Sequence, residues 1–86
     1  MIEIYSKPGC PFCVNAKALL KQKGQTWTEY DLTQNPELRD EMLTRANGHH
    51  TVPQIFINHS HIGGCDELMA LNDNGKLDTL LNEPMQ

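Results

Sequence analysis

Cysteine is scarce in this chain. Among 86 residues only Cys10, Cys13 and Cys65 are present. An odd number this small, without a secretory pattern, does not make a disulfide framework. It suits a reducing compartment, the cytoplasm, and a reactive thiol pair. Long apolar runs are lacking too. None approaches the ~20 residues of a membrane span, so no membrane association is expected. No basic segment followed by an apolar stretch opens the chain, so no signal peptide is expected. Basic charge is also short, with 7 Lys and Arg against 11 Asp and Glu and a formal net charge of -4. That balance argues against nucleic acid as a partner. Repeats, low-complexity stretches and linker-like segments are missing. The expectation is one domain spanning residues 1–86, built on one modest core.

What is present suits a folded protein: 38% hydrophobic and 21% charged residues. The charge is unevenly spread. Residues 1–24 carry four lysines against Glu3, a local excess of basic charge, and the rest of the chain is acidic. Lys17, Lys21 and Lys23 read as the solvated face of a helix. Lys7 differs, because it stands in the loop before the cysteines, where positive charge suits a small anionic substrate.

Ile2 to Ser6 reads as a strand, and Lys7-Pro8-Gly9 as a turn. From Pro11 the pattern is helical, with Pro at a favoured first position and Gly24 as the stop. Thr26 to Leu32 alternates and is rich in strand formers. Asn35-Pro36-Glu37 carries the marks of a helix start, with Asn35 as the cap, and the helix runs to about Ala46. Gln54 to Ile57 is a buried strand, Asn58-His59 a turn, and His61-Ile62 a short returning strand broken by Gly63-Gly64. Asp66 to Leu71 and Leu77 to Leu81 read as helices. Trp27 and Tyr30 read as core or sheet-surface residues. The order β-α-β-α-β-β-α, with a final helix, gives a parallel first strand pair and an antiparallel hairpin, hence a mixed sheet of the α/β class.

Cys10-Pro11-Phe12-Cys13 falls where a loop becomes a helix. Cysteines three apart across a first turn share a face and lie within disulfide reach. Cys10 would sit beside unpaired backbone N–H groups and the positive end of the helix dipole, both of which favour a thiolate nucleophile. Cys13, inside the first turn, should be less exposed. An ordinary cysteine, with a pKa of ~8.5, is mostly protonated near neutrality. Lowering such a value by about three units requires ~4 kcal/mol. A helix terminus supplies at most ~2 kcal/mol. Direct N–H hydrogen bonds and a nearby cation must supply the rest, and Lys7 is the cation the sequence offers. Half of a zinc site is the competing reading of such a pair. A second pair at zinc spacing is missing, and His49, His50, His59 and His61 follow no finger pattern, so no metal is expected.

Two further motifs suggest a ligand. Thr51-Val52-Pro53 precedes the third strand. A cis Val52–Pro53 bond would turn the Val52 backbone outward as an open edge, to which a cysteinyl peptide could add as a strand. Gly63-Gly64-Cys65-Asp66-Glu67 lets the backbone approach a ligand closely and then starts a helix. Free N–H groups at Cys65 and Asp66 suit a carboxylate. The Asp66 side chain suits an amine, or caps the helix. A carboxylate and an amine together describe a γ-glutamyl end.

In this order, Met1-Ile2-Glu3-Ile4-Tyr5-Ser6-Lys7, Cys10-Pro11-Phe12-Cys13, Thr51-Val52-Pro53-Gln54-Ile55-Phe56-Ile57 and Ile62-Gly63-Gly64-Cys65-Asp66-Glu67-Leu68 resemble the glutaredoxin family over nearly the whole chain, and its bacterial dithiol members most closely. The resemblance implies a minimal thioredoxin fold, a four-stranded mixed sheet flanked by helices. It implies glutathione as co-substrate and reduction of protein disulfides and glutathione mixed disulfides. Ribonucleotide reductase is one candidate protein substrate, and a monomer is expected. By the same resemblance Cys10 attacks and Cys13 resolves. Lys7 and Arg39 meet the glycyl carboxylate, Phe12 lines the groove, and Thr51 borders it. Val52, next to a cis Pro53, pairs with the cysteinyl backbone, and Cys65 and Asp66 hold the γ-glutamyl end. Phe12 stands where many members have Tyr. The segment Asn47-Gly48-His49-His50 is about one residue longer than usual and carries histidines in place of basic residues, which affects the Arg39 assignment. Two rivals stay open: a cluster carrier using Cys10 and glutathione, and an electron donor reduced by thioredoxin reductase.

Overall fold

The computed structural model describes residues 1–82. Its elements are β1 (Ile2–Ser6), α1 (Pro11–Gln22), β2 (Thr28–Asp31), α2 (Leu38–Arg45), β3 (Gln54–Ile57), β4 (Ser60–Gly63), α3 (Cys65–Asp73) and α4 (Lys76–Asn82). The strands form one sheet in the order β2-β1-β3-β4, with β1 parallel to β2 and antiparallel to β3, and β4 antiparallel to β3.

In β1 and β3, the two central strands, successive side chains point to opposite faces of the sheet. Ile2, Ile4, Ile55 and Ile57 face one side and pack with Ala16, Leu19 and Leu20 of α1, Leu68 of α3 and Leu77 of α4. Tyr5 and Phe56 face the other side and pack with Leu32, Met42 and Ala46. Two faces covered by helices leave both strands fully buried, which suits the apolar run Ile55 to Ile57 of β3 and takes Glu3 and Ser6 of β1 inside as well. Trp27 packs against the first cluster and Tyr30 against the second, as core-associated residues.

Some boundaries differ from the sequence reading. The second strand starts at Thr28 rather than Thr26, and Gly63 belongs to β4 rather than ending it. Asn35 does not cap α2. The helix begins at Leu38 after a turn in which Leu38 N–H donates to the Asn35 carbonyl at 3.0 Å. The α3 helix begins at Cys65 with Gly64 at the cap position, so Asp66 lies within the first turn and is not the cap.

The register fixes where the junctions fall. Tyr5 opposes Gln54, so the end of β1 lies beside the start of β3. Gly63 opposes Ile55, so the end of β4 returns to the same edge. The β1–α1 loop, the segment before β3 and the β4–α3 junction therefore meet at one end of the sheet.

Candidate active site

Cys10 caps α1. Its extended backbone (φ -95°, ψ 108°) halts the helix. Its carbonyl takes the first helical bond, from Val14 N–H at 3.1 Å. Its Sγ accepts from Cys13 N–H at 3.2 Å, the bond a Ser or Asp cap makes through oxygen. The half-buried sulfur also lies 3.7 Å from the Val52 carbonyl. It thus stands between the first turn of α1 and the loop ahead of β3.

Cys13 is 1% exposed. Burial pushes its thiol up to about 12, helped by the adjoining Cys10 side chain, while the Lys7 backbone and the Lys17 charge pull the other way. Cys65 opens α3 and is also buried. Burial raises its pKa, with the Asp66 carboxylate adding to the effect.

A groove of about 240 Å³ is lined by Phe12, Thr51, Val52, Pro53, Gly64, Cys65, Asp66 and Glu67. Three stretches far apart in sequence supply its walls. Phe12 lies 56% exposed on the first turn of α1. The Val52–Pro53 bond is cis, and residues 51–53 belong to no strand. At Gly64 a Cβ would lie 3.3 Å from the Pro53 carbonyl oxygen, a tight contact that the two backbones would have to ease by a few tenths of an ångström. Close approach of these two backbones narrows the groove.

Six of the residues read from sequence as ligand contacts, Phe12, Thr51, Val52, Pro53, Cys65 and Asp66, therefore share one groove. Lys7 and Arg39 do not line it. They meet instead in a separate depression of about 250 Å³ with Leu32, Thr33 and Pro36. Gly64, read from sequence as a place of close backbone approach, lines the groove too, and Glu67 lines it without having been assigned a role from sequence. Glu67 Oε1 accepts from Gly64 N–H at 3.0 Å, which ties the first turn of α3 to the glycine ahead of it. The Ser/Thr-x-x-Glu spacing that betrays such a bond is hidden here, because glycine stands at the cap. His49 and His50 are exposed in the loop after α2. Among the described residues no group of three or more His, Cys, Asp or Glu is placed to hold a metal ion. No helix there is long and apolar enough to cross a membrane.

A cysteine at a helix cap thus stands beside a groove with a cis-proline wall. A family model described as Glutaredoxin matches residues 2–62. The chain belongs to the glutaredoxin family. It is similar to glutaredoxin 3 of Escherichia coli strain K12, at 52% identity over 80 residues, 93% of this chain and 95% of that protein. It is 53% identical over 81 residues to a probable glutaredoxin of Synechocystis, covering 94% of this chain and 92% of the relative. Among solved structures, the crystal structure of a buckwheat glutaredoxin–glutathione complex superposes with a TM-score of 0.86 at 34% identity, covering 93% of this chain and 74% of that one. The fold is accordingly the thioredoxin fold of glutaredoxins, and the chemistry is of the thiol–disulfide oxidoreductase kind.

Proposed function

We propose that this glutaredoxin is a glutathione-dependent oxidoreductase that reduces glutathione mixed disulfides and protein disulfides through Cys10 and Cys13. The observation that carries the reading is the Cys10 sulfur, held by the Cys13 N–H at 3.2 Å beside the groove that Val52 and Cys65 line. In the first step the Cys10 thiolate attacks the glutathione sulfur of a mixed disulfide. The Cys10–glutathione bond forms, the substrate S–S bond breaks, and the substrate thiolate leaves and takes a proton. A second glutathione thiolate then attacks that glutathione sulfur, releasing oxidised glutathione and restoring the Cys10 thiolate.

Protein disulfides follow a second route. Cys10 forms a mixed disulfide with one substrate sulfur, and Cys13 attacks Cys10 to release the reduced protein. Two glutathiones then reopen the Cys10–Cys13 bond. Part of what raises the Cys13 pKa is the Cys10 sulfur itself, and that part falls away once Cys10 is in a mixed disulfide.

The groove suits glutathione in extended form. Val52 offers its backbone to the cysteinyl unit, as an added strand would use it. Phe12, Thr51 and Pro53 wall that position. The α3 start at Cys65 and Asp66 receives the γ-glutamyl carboxylate and amine. Lys7 and Arg39, in the separate depression, are assigned the glycyl carboxylate at the far end of the tripeptide. The protein works as a cytoplasmic monomer of one domain, and ribonucleotide reductase is among its candidate substrates.

The test is a glutathione-coupled turnover assay together with mass spectrometry. Cys10→Ser should lose all activity. Cys13→Ser should keep deglutathionylation, lose most dithiol reduction and accumulate a single glutathione on Cys10. Full activity of Cys10→Ser, or an adduct on another cysteine, would overturn the reading.

A further inference from the structure

Behind the groove, and outside its lining, lies a hydrogen-bonded chain running from β4 to the Thr51 backbone. Gln54 opens β3 immediately after Pro53 and is 2% exposed. A buried amide of this kind needs partners for both ends. Its Nε2 donates to the Thr51 carbonyl at 2.9 Å and to Thr51 Oγ1 at 3.2 Å. A carbonyl only accepts, so the NH2 end of the amide must face Thr51. The Oε1 end therefore faces His61, whose Nε2 is 2.7 Å away. Two acceptors cannot share that distance, so His61 Nε2 carries a proton and donates. The His61 ring packs beside Phe56, with ring centroids 5.0 Å apart, and lies 6.0 Å from the His49 ring. Burial, with the His49 charge adding and the Glu67 charge opposing, lowers its pKa and favours the neutral imidazole, whose single proton the Gln54 contact places on Nε2.

We propose that His61 is a positioning residue: through Gln54 it fixes the Thr51–Val52 edge of the groove and so sets affinity for the glutathionyl substrate. This rests on the glutathione reading of the groove. His61 lines no part of the groove and can act on it only through the amide. Without the imidazole donor, Gln54 Oε1 is left buried and unmatched. The amide is then free to turn, and Thr51 loses the donor that anchors it.

The test compares His61→Phe, His61→Gln, Gln54→Leu and the Phe/Leu double variant with the parent, on a glutathionylated peptide in the coupled assay. His61→Phe should raise KM about five-fold, as loss of one buried hydrogen bond implies, with kcat within about two-fold because Cys10 is untouched. His61→Gln should restore KM, since its Nε2–H reaches the same acceptor. The double variant should be no worse than the poorer single variant, as one chain of bonds requires. An unchanged KM in folded His61→Phe, a fall in kcat alone, or additive effects would overturn the proposal. A second measurement needs no turnover. Nitrogen-15 NMR of the parent at neutral pH should show His61 protonated at Nε2 and bare at Nδ1, and His61→Phe should shift the Thr51 and Val52 amides. The opposite tautomer, or unmoved amides, would sink the relay by itself. A parent without glutathione turnover would instead end the glutathione reading and the affinity effect with it, leaving the NMR result to judge the bonds alone.

Discussion

Glu3 is the least expected residue of the core. It lies on a central strand, 5% exposed. An isolated carboxylate there would be costly, so its partners decide whether it is tolerated. Arg45 grips both oxygens, Nη1 to Oε2 at 3.0 Å and Nη2 to Oε1 at 2.9 Å, and Tyr30 donates to Oε2 at 2.9 Å. The guanidinium also lies over Phe56, 4.1 Å from the ring centroid. Removing Arg45 would strand the charge, so Arg45→Ala should cost about 3 kcal/mol, the low end for a buried pair because Arg45 is partly exposed. The Arg45 hydrogen bonds hold the Glu3 carboxyl below its ordinary 4.5, against the opposing effect of burial. A depressed acid stabilises the fold fully above its unfolded pKa and loses that contribution as pH falls through the folded one. The gap between parent and Arg45→Ala in urea denaturation should therefore be wide at pH 7 and close on acidification below 4.5. A gap independent of pH would refute the pairing. Cysteine chemistry also separates at this scale. Cys13 and Cys65 are buried with raised pKa values, whereas Cys10 is partly open. Brief iodoacetamide treatment at neutral pH should therefore label Cys10 alone in mass spectra, and equal labelling of Cys13 would contradict the burial.

At the scale of elements, the start of α3 depends on Gly63 as much as on the helix itself. Gly63 has φ +117°, a conformation that L side chains rarely adopt, and a Cβ there would lie 2.6 Å from Glu67 Oε1. Gly63→Ala should cost about 1–3 kcal/mol and push Glu67 off the Gly64 N–H. Glu67→Ala should cost about 1 kcal/mol, and Glu67→Gln much less, because an amide oxygen can still accept that bond. Urea midpoints measure all three, and a neutral Gly63→Ala would contradict the geometry. The same region shows what a sequence makes legible. Cys10 at the start of α1, the strand β1 and the buried run of β3 could be read because each follows from neighbouring residues. The start of α2 could not. Asn35-Pro36 looks like a cap, but the chain there is already in a turn set by Asp31, whose Oδ1 accepts from Thr33 N–H at 2.8 Å and Gln34 N–H at 3.2 Å. Local signals for turn and helix start are the same residue types, and here the Asp31 side chain holds the turn. The meeting of Lys7 with Arg39 away from the groove also depends on how the β1–α1 loop docks against the start of α2, which no local pattern records.

For the whole molecule, topology matters more than any one contact. The β1–α1, pre-β3 and β4–α3 junctions share one end of the sheet because β3 runs against both β1 and β4. A ligand bound there would touch three segments far apart in sequence, while the sheet centre is already fully buried. Local opening draws on the least buried parts of a fold, so binding should slow exchange at the junctions and leave the centre unchanged. Cys13→Ser, loaded with one glutathione on Cys10, provides the bound state as a stable covalent species. Hydrogen exchange followed by NMR should then show added protection at Val52 and at Cys65 to Glu67, and at the first turn of α1. Ile4, Tyr5, Ile55 and Phe56 should exchange as in the reduced protein. Protection confined to the first turn of α1 would mean that the glutathione hangs from Cys10 without using the groove. Protection spread evenly over the sheet would mean that the adduct stabilises the fold globally and the three junctions do not act as a separate unit.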